Sequence, residues 1–276
     1  MNNKIKIGNQ TASSSASIMA PFEYAVEAGF EAFEWFPDKK DWGAGFNASD
    51  IDRDLRRFIR DRSLENALSL SVHVDCAFNP LYQHTHNLFY ESCDLAIDIG
   101  AKIINTHLFI EQGVPRYFDR LLPIIAKTHE AGLKLSIENT PETTPQDFNA
   151  LFRLLKDNTI NGLDSSAITT HVGMCLDVGH ANLCYTTNND FLGFINQLDS
   201  DLPIIHIHLH ENYGDNDSHL AIFTGPAGLN PHGIIEVLKH LKEIEFAGAI
   251  ILEQWPQDPS VLKTSRDRLV KILSEI

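Results

Sequence analysis

Apolar residues are grouped along the chain in short runs that recur about every 30 to 35 residues. Between these runs lie longer segments in which apolar residues repeat with helical spacing. Runs such as KIINTHLF and GAIILEQW stay mostly hydrophobic until their last residues, which is typical of strands buried on both faces of a parallel sheet. The pattern predicts eight strands, at residues 5–11, 32–36, 68–74, 103–109, 133–139, 172–178, 204–210 and 249–253.

Eight helices fit between and after these strands, at residues 21–28, 48–61, 81–99, 114–131, 145–157, 189–199, 233–244 and 259–276. Gly29, Gly100 and Gly132 each follow a predicted helix, where a left-handed residue ends it. Eight strand–helix units match the size of an eightfold barrel. No G-x-G-x-x-G motif follows the first strand, which disfavours an open dinucleotide-binding sheet. The sequence therefore predicts an α/β protein with a single (β/α)8 TIM barrel as its one domain, residues 1–276.

Charge and composition narrow the classes of partner. The chain has 22 basic and 37 acidic residues, a formal net charge of −15, which disfavours binding to nucleic acid or to an anionic membrane surface. No apolar run approaches the ~18 residues of a membrane span, and the N-terminus does not resemble a signal peptide. The four cysteines lack C-x-x-C spacing, which favours reduced thiols. We expect a cytoplasmic protein.

Residues with metal-binding chemistry follow six of the eight predicted strands. They are His73, His107, Glu138, Asp177, His180, His208, Asp217, His219 and Glu253. A single strand-end His is usually a hydrogen-bonded core residue, and a single Asp or Glu often caps the next helix. In a barrel, however, all these ends converge on one mouth, where so many buried ionisable groups are costly without cations. The set predicts a divalent metal site, and its mixed imidazole and carboxylate donors favour Zn, Mn or Co over Mg.

Three histidines alternate along the seventh predicted strand, so their side chains share one face. Consecutive layers of a barrel interior cannot all reach one ion. We expect His208 to be the ligand, with His206 deeper in the barrel and His210 at the rim. His206 is then either a hydrogen-bonding neighbour of the site or a buried layer residue.

The motifs ENT, D-x-G-H, H-x-H-E-N and a final strand-eight Glu resemble the xylose isomerase-like TIM-barrel superfamily. This superfamily joins sugar and sugar-phosphate isomerases and epimerases with endonuclease IV. In its ketose 3-epimerase-like members, one metal is held by a Glu, an Asp, a His and a Glu. The resemblance assigns these four ligands to Glu138, Asp177, His208 and Glu253.

The endonuclease IV-like pattern uses further ligands for three zinc ions. The resemblance gives these roles to His73, His107, His180, Asp217 and His219. Two departures limit the resemblance. The basic, DNA-penetrating loops of the nuclease have no counterpart in this acidic chain. The Arg that often contacts substrate after strand seven in epimerases is replaced by the DNDSH segment. Uncharacterised isomerase-like members also have H-x-H-x-N together with D-x-H, so this loop alone does not imply nuclease activity.

Three hypotheses follow for the chemistry. The favoured one is isomerisation or epimerisation of a sugar or sugar phosphate through an enediolate that one metal ion stabilises. In this reaction Glu138 and Glu253 transfer the protons, and His180 binds a substrate oxygen. The alternative is hydrolysis of a small phosphate ester, not DNA, by up to three ions. A third interpretation is a non-catalytic metal-binding barrel. Separately, the loop DNDSHLAIFTGPAG either provides metal ligands through Asp217 and His219 or is a flexible lid whose His is solvated. We expect a small carbohydrate substrate, and the resemblance leaves a homo-oligomer open because paired barrels are common in the family.

Overall fold

A computed structural model describes residues 5–12, 15, 17–40, 43–158 and 165–276. Eight parallel strands form a closed barrel in chain order, because the first strand pairs with both the second and the eighth. The strands are β1 (Lys6–Gln10), β2 (Ala32–Trp35), β3 (Ser69–His73), β4 (Ile103–His107), β5 (Lys134–Glu138), β6 (Val172–Asp177), β7 (Ile204–Leu209) and β8 (Ala249–Leu252). The (β/α)8 prediction is confirmed.

Helices follow the strands and cover the outside of the barrel. They are α1 (Ala20–Ala28), α2 (Arg53–Glu65), α3 (His86–Ile99), α4 (Val114–Glu130), α5 (Pro145–Asp157), α6 (Ser165–His171), α7 (Val178–Leu183), α8 (Phe191–Ile195), α9 (Pro226–Leu229), α10 (His232–Glu243) and α11 (Ser260–Glu275). The helix predicted at residues 48–61 begins only at Arg53, because the Asp52 carboxylate accepts a hydrogen bond from the backbone N–H of Leu55 and caps it there. The helix predicted at residues 189–199 is shorter, and α6, α7 and α9 are additions.

The main apolar core lies between the strands and the helices. Alternate residues of each strand face it, such as Phe33, Val72 and Ile104, and all three are buried there against helix side chains. The remaining strand residues face the barrel interior, where Ala32, Ala249 and Ile251 form a separate small apolar cluster. The rest of the interior is polar. Its buried members include Gln10, Glu34, Ser71, His73, Asn105, Ser136, Glu138, Asp177, His206 and His208.

Gly29 and Gly100 end α1 and α3 in the left-handed region, with φ of 74° and 76°, as the sequence predicted. All four cysteines are free thiols, and only Cys76 is exposed. Within the described ranges, no helix is long and apolar enough to cross a membrane.

Candidate metal centre

Strand pairing brings the predicted ligands together at the carboxyl ends of the strands. His107 of β4 lies opposite Glu138 of β5, and Asp177 of β6 lies opposite His208 of β7. The second pairing depends on a register shift between Met174 and Cys175. Asp177 also caps α7, since its Oδ1 accepts a hydrogen bond of 2.7 Å from the backbone N–H of His180. One carboxylate oxygen therefore begins the helix, while Oδ2 has no hydrogen-bond partner among the described residues.

The central cluster consists of Glu138, Asp177, His208 and Glu253, all buried. The Nδ1 atom of His208 lies 3.2 Å from Oε2 of Glu138, 3.0 Å from Oε2 of Glu253 and 3.9 Å from Oδ2 of Asp177. Nδ1 of His208 and Oε2 of Glu253 are buried atoms without a hydrogen-bond partner in the described part of the chain. Such atoms are rare in folded proteins. Their convergence here is the arrangement expected of ligands around one ion.

Glu138 also belongs to a second group, the β3–β4 cluster, which contains His73, His107 and Glu138. Nε2 of His73 lies 3.1 Å from Oε2 of Glu138, and Nε2 of His107 lies 3.6 Å from Oε1. Asn105 donates a short hydrogen bond to Oε2. Both oxygens of this one carboxylate therefore face imidazoles from neighbouring strands.

A third group, the loop cluster, contains His180, His210, Asp217 and His219. Oδ2 of Asp217 lies 3.2 Å from Nε2 of His180 and 3.2 Å from Nε2 of His219. His210 contacts two carboxylates, since its Nε2 lies 3.2 Å from Oδ1 of Asp177 and 3.8 Å from Oδ1 of Asp217. His210 therefore connects the central cluster to the loop cluster.

Packing holds the loop after β7 in place. An antiparallel bridge joins Glu211 to Leu220, and the Glu211 carboxylate accepts hydrogen bonds from the backbone N–H groups of Phe223 and Ala227. The ring of His219 stacks on His210 at 4.0 Å and on Trp255 at 4.6 Å between centroids. The side chain of His219 is only 14% exposed. These contacts argue against a lid with a solvated His.

The backbone of His219 has a φ of 44°, in the left-handed region. A non-glycine residue is uncommon there, and strained residues of this kind concentrate at functional sites. The neighbouring Leu220 pairs with Glu211 in both directions at 2.9 Å, which fixes this turn. From this turn, Nε2 of His219 lies 3.2 Å from Oδ2 of Asp217.

Glu34 lies beneath the central cluster, inside the barrel, and is fully buried. Its Oε1 lies 2.8 Å from Nε2 of His208, and its Oε2 accepts a hydrogen bond of 2.8 Å from Nε2 of His206. Gln10 and Ser71 each donate a hydrogen bond of 2.9 Å to this carboxylate. Burial alone would raise the pKa of Glu34, but the imidazoles of His208 and His206 hold it well below its usual value. The carboxylate is therefore an ionised acceptor.

Burial and neighbouring charged groups also shift the pKa values of the predicted ligands in opposite directions. Burial would raise the pKa of Glu138, but His208 and His107 lower it well below its usual value. Burial would likewise lower the pKa of His219, yet its bond to Asp217 and the charge of Glu253 raise it to about 9. The cluster thus favours ionised carboxylates and a positive charge beside them, which are the conditions that a cation satisfies.

The donor set fits divalent metal ions. Nitrogen and carboxylate oxygen atoms within each cluster lie no more than 4.8 Å apart, as ligands of one ion must. All nine residues selected from the sequence are present in the three clusters, although their binding to metal stays a prediction. Sequence reasoning missed the contribution of His210, which it placed at the rim, and missed Glu34. The signal for Glu34 was a charged residue inside the apolar strand run AFEW.

A closed parallel barrel with such clusters at its carboxyl mouth has the architecture of metal-dependent TIM-barrel enzymes. The chain belongs to the xylose isomerase-like TIM barrel family, which it matches over residues 22–272. The family resemblance proposed from the sequence is confirmed.

One known protein is similar to part of the chain in sequence, and solved structures are similar to nearly all of it in fold. The uncharacterized protein MJ1311 of Methanocaldococcus jannaschii is 32% identical over 152 residues, which span 52% of this chain and 45% of that protein. A D-tagatose 3-epimerase-like protein superposes with a TM-score of 0.75 at 22% identity, covering 98% of this chain and 97% of its own. A D-psicose 3-epimerase crystallised in the presence of D-fructose superposes with a TM-score of 0.68 at 14% identity, covering 98% and 99%. At these identities the two structures establish the common fold.

Proposed function

We propose that the protein hydrolyses a small phosphate ester of a carbohydrate, using a centre of up to three divalent ions. The position of Glu138 carries this proposal. Its Oε2 faces His73 and His208, and its Oε1 faces His107 and His180. A carboxylate with ligand nitrogens on both sides is suited to bridging two ions.

The charge of the mouth supports more than one ion. Four carboxylates meet there, from Glu138, Asp177, Asp217 and Glu253, and a fifth, from Glu34, lies directly beneath them. With neutral imidazoles, one divalent ion would leave a charge of about −3, whereas three ions would leave about +1. A slightly positive mouth in a protein of net charge −15 attracts an anionic substrate to this place.

Each cluster would hold one ion. In the central cluster the ligands would be Glu138, Asp177, His208 and Glu253. In the β3–β4 cluster they would be His73, His107 and the same Glu138 carboxylate, which belongs to both clusters. In the loop cluster they would be His180, Asp217 and His219. When bound, such ions neutralise phosphate oxygens and lower the pKa of water, which makes it a nucleophile near neutral pH. The chain itself orients these ligands.

Aromatic side chains border the mouth and favour a sugar as the esterified group. Phe36 lies 4.3 Å from the ring of His73, Phe109 lies 6.1 Å from His107, and Trp255 stacks on His219. Aromatic faces pack against the apolar faces of sugars. The acidic surface argues against a nucleic-acid substrate.

A second candidate is the metal-dependent isomerase or epimerase that the sequence favoured. The free Oε2 of Glu253 at the central cluster supports it, as do the structural neighbours described as 3-epimerases. In that function Glu253 and Glu138 would move protons on two sides of a substrate, and His180 would bind its oxygen. Hydrolysis is placed first because both carboxylate oxygens of Glu138 face imidazoles, an arrangement that suits more than one ion.

Metal analysis combined with two assays tests these functions. The protein is analysed for metal per chain, for phosphate release from p-nitrophenyl phosphate and sugar phosphates, and for deuterium exchange at substrate carbons of ketoses. His219→Ala is compared with His232→Ala, a matched change at an exposed histidine of α10. Hydrolysis predicts two or three ions in the wild type, one fewer in His219→Ala, and nearly complete loss of phosphate release.

The isomerase predicts a different result. One ion per chain, retained in His219→Ala together with most of the deuterium exchange, would favour isomerisation and contradict the hydrolase. Absence of metal after equilibration with Zn²⁺, Mn²⁺ and Co²⁺ would contradict both functions. The His232→Ala variant should match the wild type in every measurement.

A further inference from the structure

A cavity lies at the end of the barrel where the strands begin, opposite the candidate metal centre. Its lining contains the first residues of several strands, among them Lys6 of β1, Ser69 of β3 and Lys134 of β5. Its volume is about 280 Å³, just below the roughly 300–1,000 Å³ of typical small-molecule pockets. The cavity can therefore hold a small metabolite.

The charge of this cavity is opposite to that of the protein. Three lysines, Lys6, Lys102 and Lys134, line it, and no carboxylate is among the described residues that do. In the part of the chain that the structure describes, none of the three lysines forms an ion pair. Three unpaired cations around one opening are unusual in a chain of net charge −15. Their combined charge attracts an anion to this opening.

The buried end of the cavity has different chemistry. His206 lines it and is fully buried, and its Nδ1 has no hydrogen-bond partner among the described residues. Nε2 of His206 lies 2.8 Å from Oε2 of Glu34 and has the ring proton in that contact, which leaves Nδ1 as the acceptor. A buried acceptor without a partner is costly, and a ligand hydroxyl would satisfy it.

We propose that this cavity binds a small hydroxylated anion, such as a sugar phosphate or sugar acid. Its anionic group lies among the three lysines, and one hydroxyl donates to Nδ1 of His206. This site is separate from the mouth proposed for catalysis, because it opens where the strands begin. It does not depend on which reaction the metal centre performs.

Calorimetric titration with glycerol 3-phosphate tests the site in the metal-loaded protein. Phosphate release is followed in parallel, because binding and turnover at the metal centre are common to all variants, and the cavity is measured as the binding event that the lysine variants change. The double variant Lys6→Gln/Lys134→Gln is compared with Lys239→Gln/Lys263→Gln, which removes the same charge from two helices. We expect at least tenfold weaker binding in the first variant and unchanged binding in the second. Equal binding in both, or no binding to the wild type, would overturn the proposal.

Two further measurements separate this site from the metal centre and from a folding defect. Ala247→Asp places a carboxylate at an exposed position of the cavity lining, and it should abolish binding while the melting temperature stays unchanged. His219→Ala changes the other end of the barrel and should leave this binding intact. Inorganic phosphate, which lacks the carbon-bound hydroxyl groups, should bind several-fold more weakly than glycerol 3-phosphate. Equal affinities would contradict the role of His206.

Discussion

Glu34 and His208 lie 2.8 Å apart inside the barrel, from Oε1 of the carboxylate to Nε2 of the imidazole. The other ring nitrogen of His208, Nδ1, faces Glu138 and Glu253. The contact lies outside hydrogen-bond geometry, so Glu34 acts on the ring through its charge. That charge favours the tautomer with a proton on Nε2, which leaves the lone pair of Nδ1 free for a metal. Glu34 therefore orients a predicted ligand without touching the mouth.

This relationship predicts that Glu34→Gln weakens metal binding. Mutation of the carboxylate partner of a ligating histidine typically lowers metal affinity by about 10- to 100-fold, and we expect a loss in that range. Competition with a chromophoric chelator measures it, and the visible spectrum of the Co²⁺-loaded protein reports the altered ligand field. Ser71→Ala removes only a hydrogen bond to the Glu34 carboxylate and should change affinity by less than about threefold. Equal affinity in Glu34→Gln and the wild type would rule out this role.

Metal removal should lower the stability of the fold. The three clusters exist only in the folded chain, so each ion binds the native state and stabilises it. At a free concentration 100 times its Kd, one ion contributes about 2.7 kcal/mol. Scanning calorimetry with and without a chelator should therefore show a fall in melting temperature of at least about 5 °C. His219→Ala should show a smaller fall. An identical melting curve after verified metal removal would contradict the link.

The fold could be predicted from the sequence because its signals are local. Apolar runs, helical spacing and terminal glycines such as Gly29 each reflect the physics of one element. The positions of the predicted ligands along the chain followed from one rule, that barrel function gathers at the carboxyl ends of strands. The short helices α7 and α9 have too few residues to show a period.

The depth of each side chain could not be predicted in the same way. His206 and His208 alternate along β7 and His210 follows its last residue, and their order gives no measure of how far each side chain reaches. That depends on the register between β6 and β7, which shifts between Met174 and Cys175 and sets His208 opposite Asp177. Register is a long-range property, set by pairing across the sheet. For the same reason Glu34, from a distant strand, was not connected with His208.

His171 predicts a pH dependence of stability outside the metal centre. Burial, and then the neighbouring His129, lower the pKa of His171 to about 4 from 6.5. The folded state therefore favours the neutral ring, which contributes stability above pH 6.5 that is lost as pH falls towards 4. Between pH 7 and pH 5 the wild type should lose about 2 kcal/mol more unfolding free energy than His171→Gln.

Urea unfolding at both pH values, with chelator present throughout, measures this difference. Both proteins contain the same metal-binding residues, so the titration of those residues cancels. His129→Gln changes the exposed neighbour and should retain most of the pH dependence, because burial is the larger cause. The same pH dependence in His171→Gln as in the wild type would show that another group is responsible.

Gly179 has a predicted role that depends on the space beside it. A methyl group at this position would overlap ring atoms Cε1 and Nε2 of His210. His210 is fully enclosed and stacked on His219, so it can move only by disturbing the loop cluster. We expect Gly179→Ala to destabilise the fold by about 1–3 kcal/mol, in the range of overpacked cores. The number of bound ions should fall by one.

A double-mutant cycle tests whether His210 transmits this effect. His210→Ala removes the ring that the new methyl group would meet, so adding Gly179→Ala to it should cost less than about 0.5 kcal/mol and no further metal. Denaturant unfolding and metal analysis of the four proteins give both quantities. Additive losses would mean that the methyl group acts elsewhere, through the backbone of α7. A non-additive cycle would explain the glycine of the D-x-G-H motif, because only a residue without a side chain lets His210 pack against this turn beside Asp177.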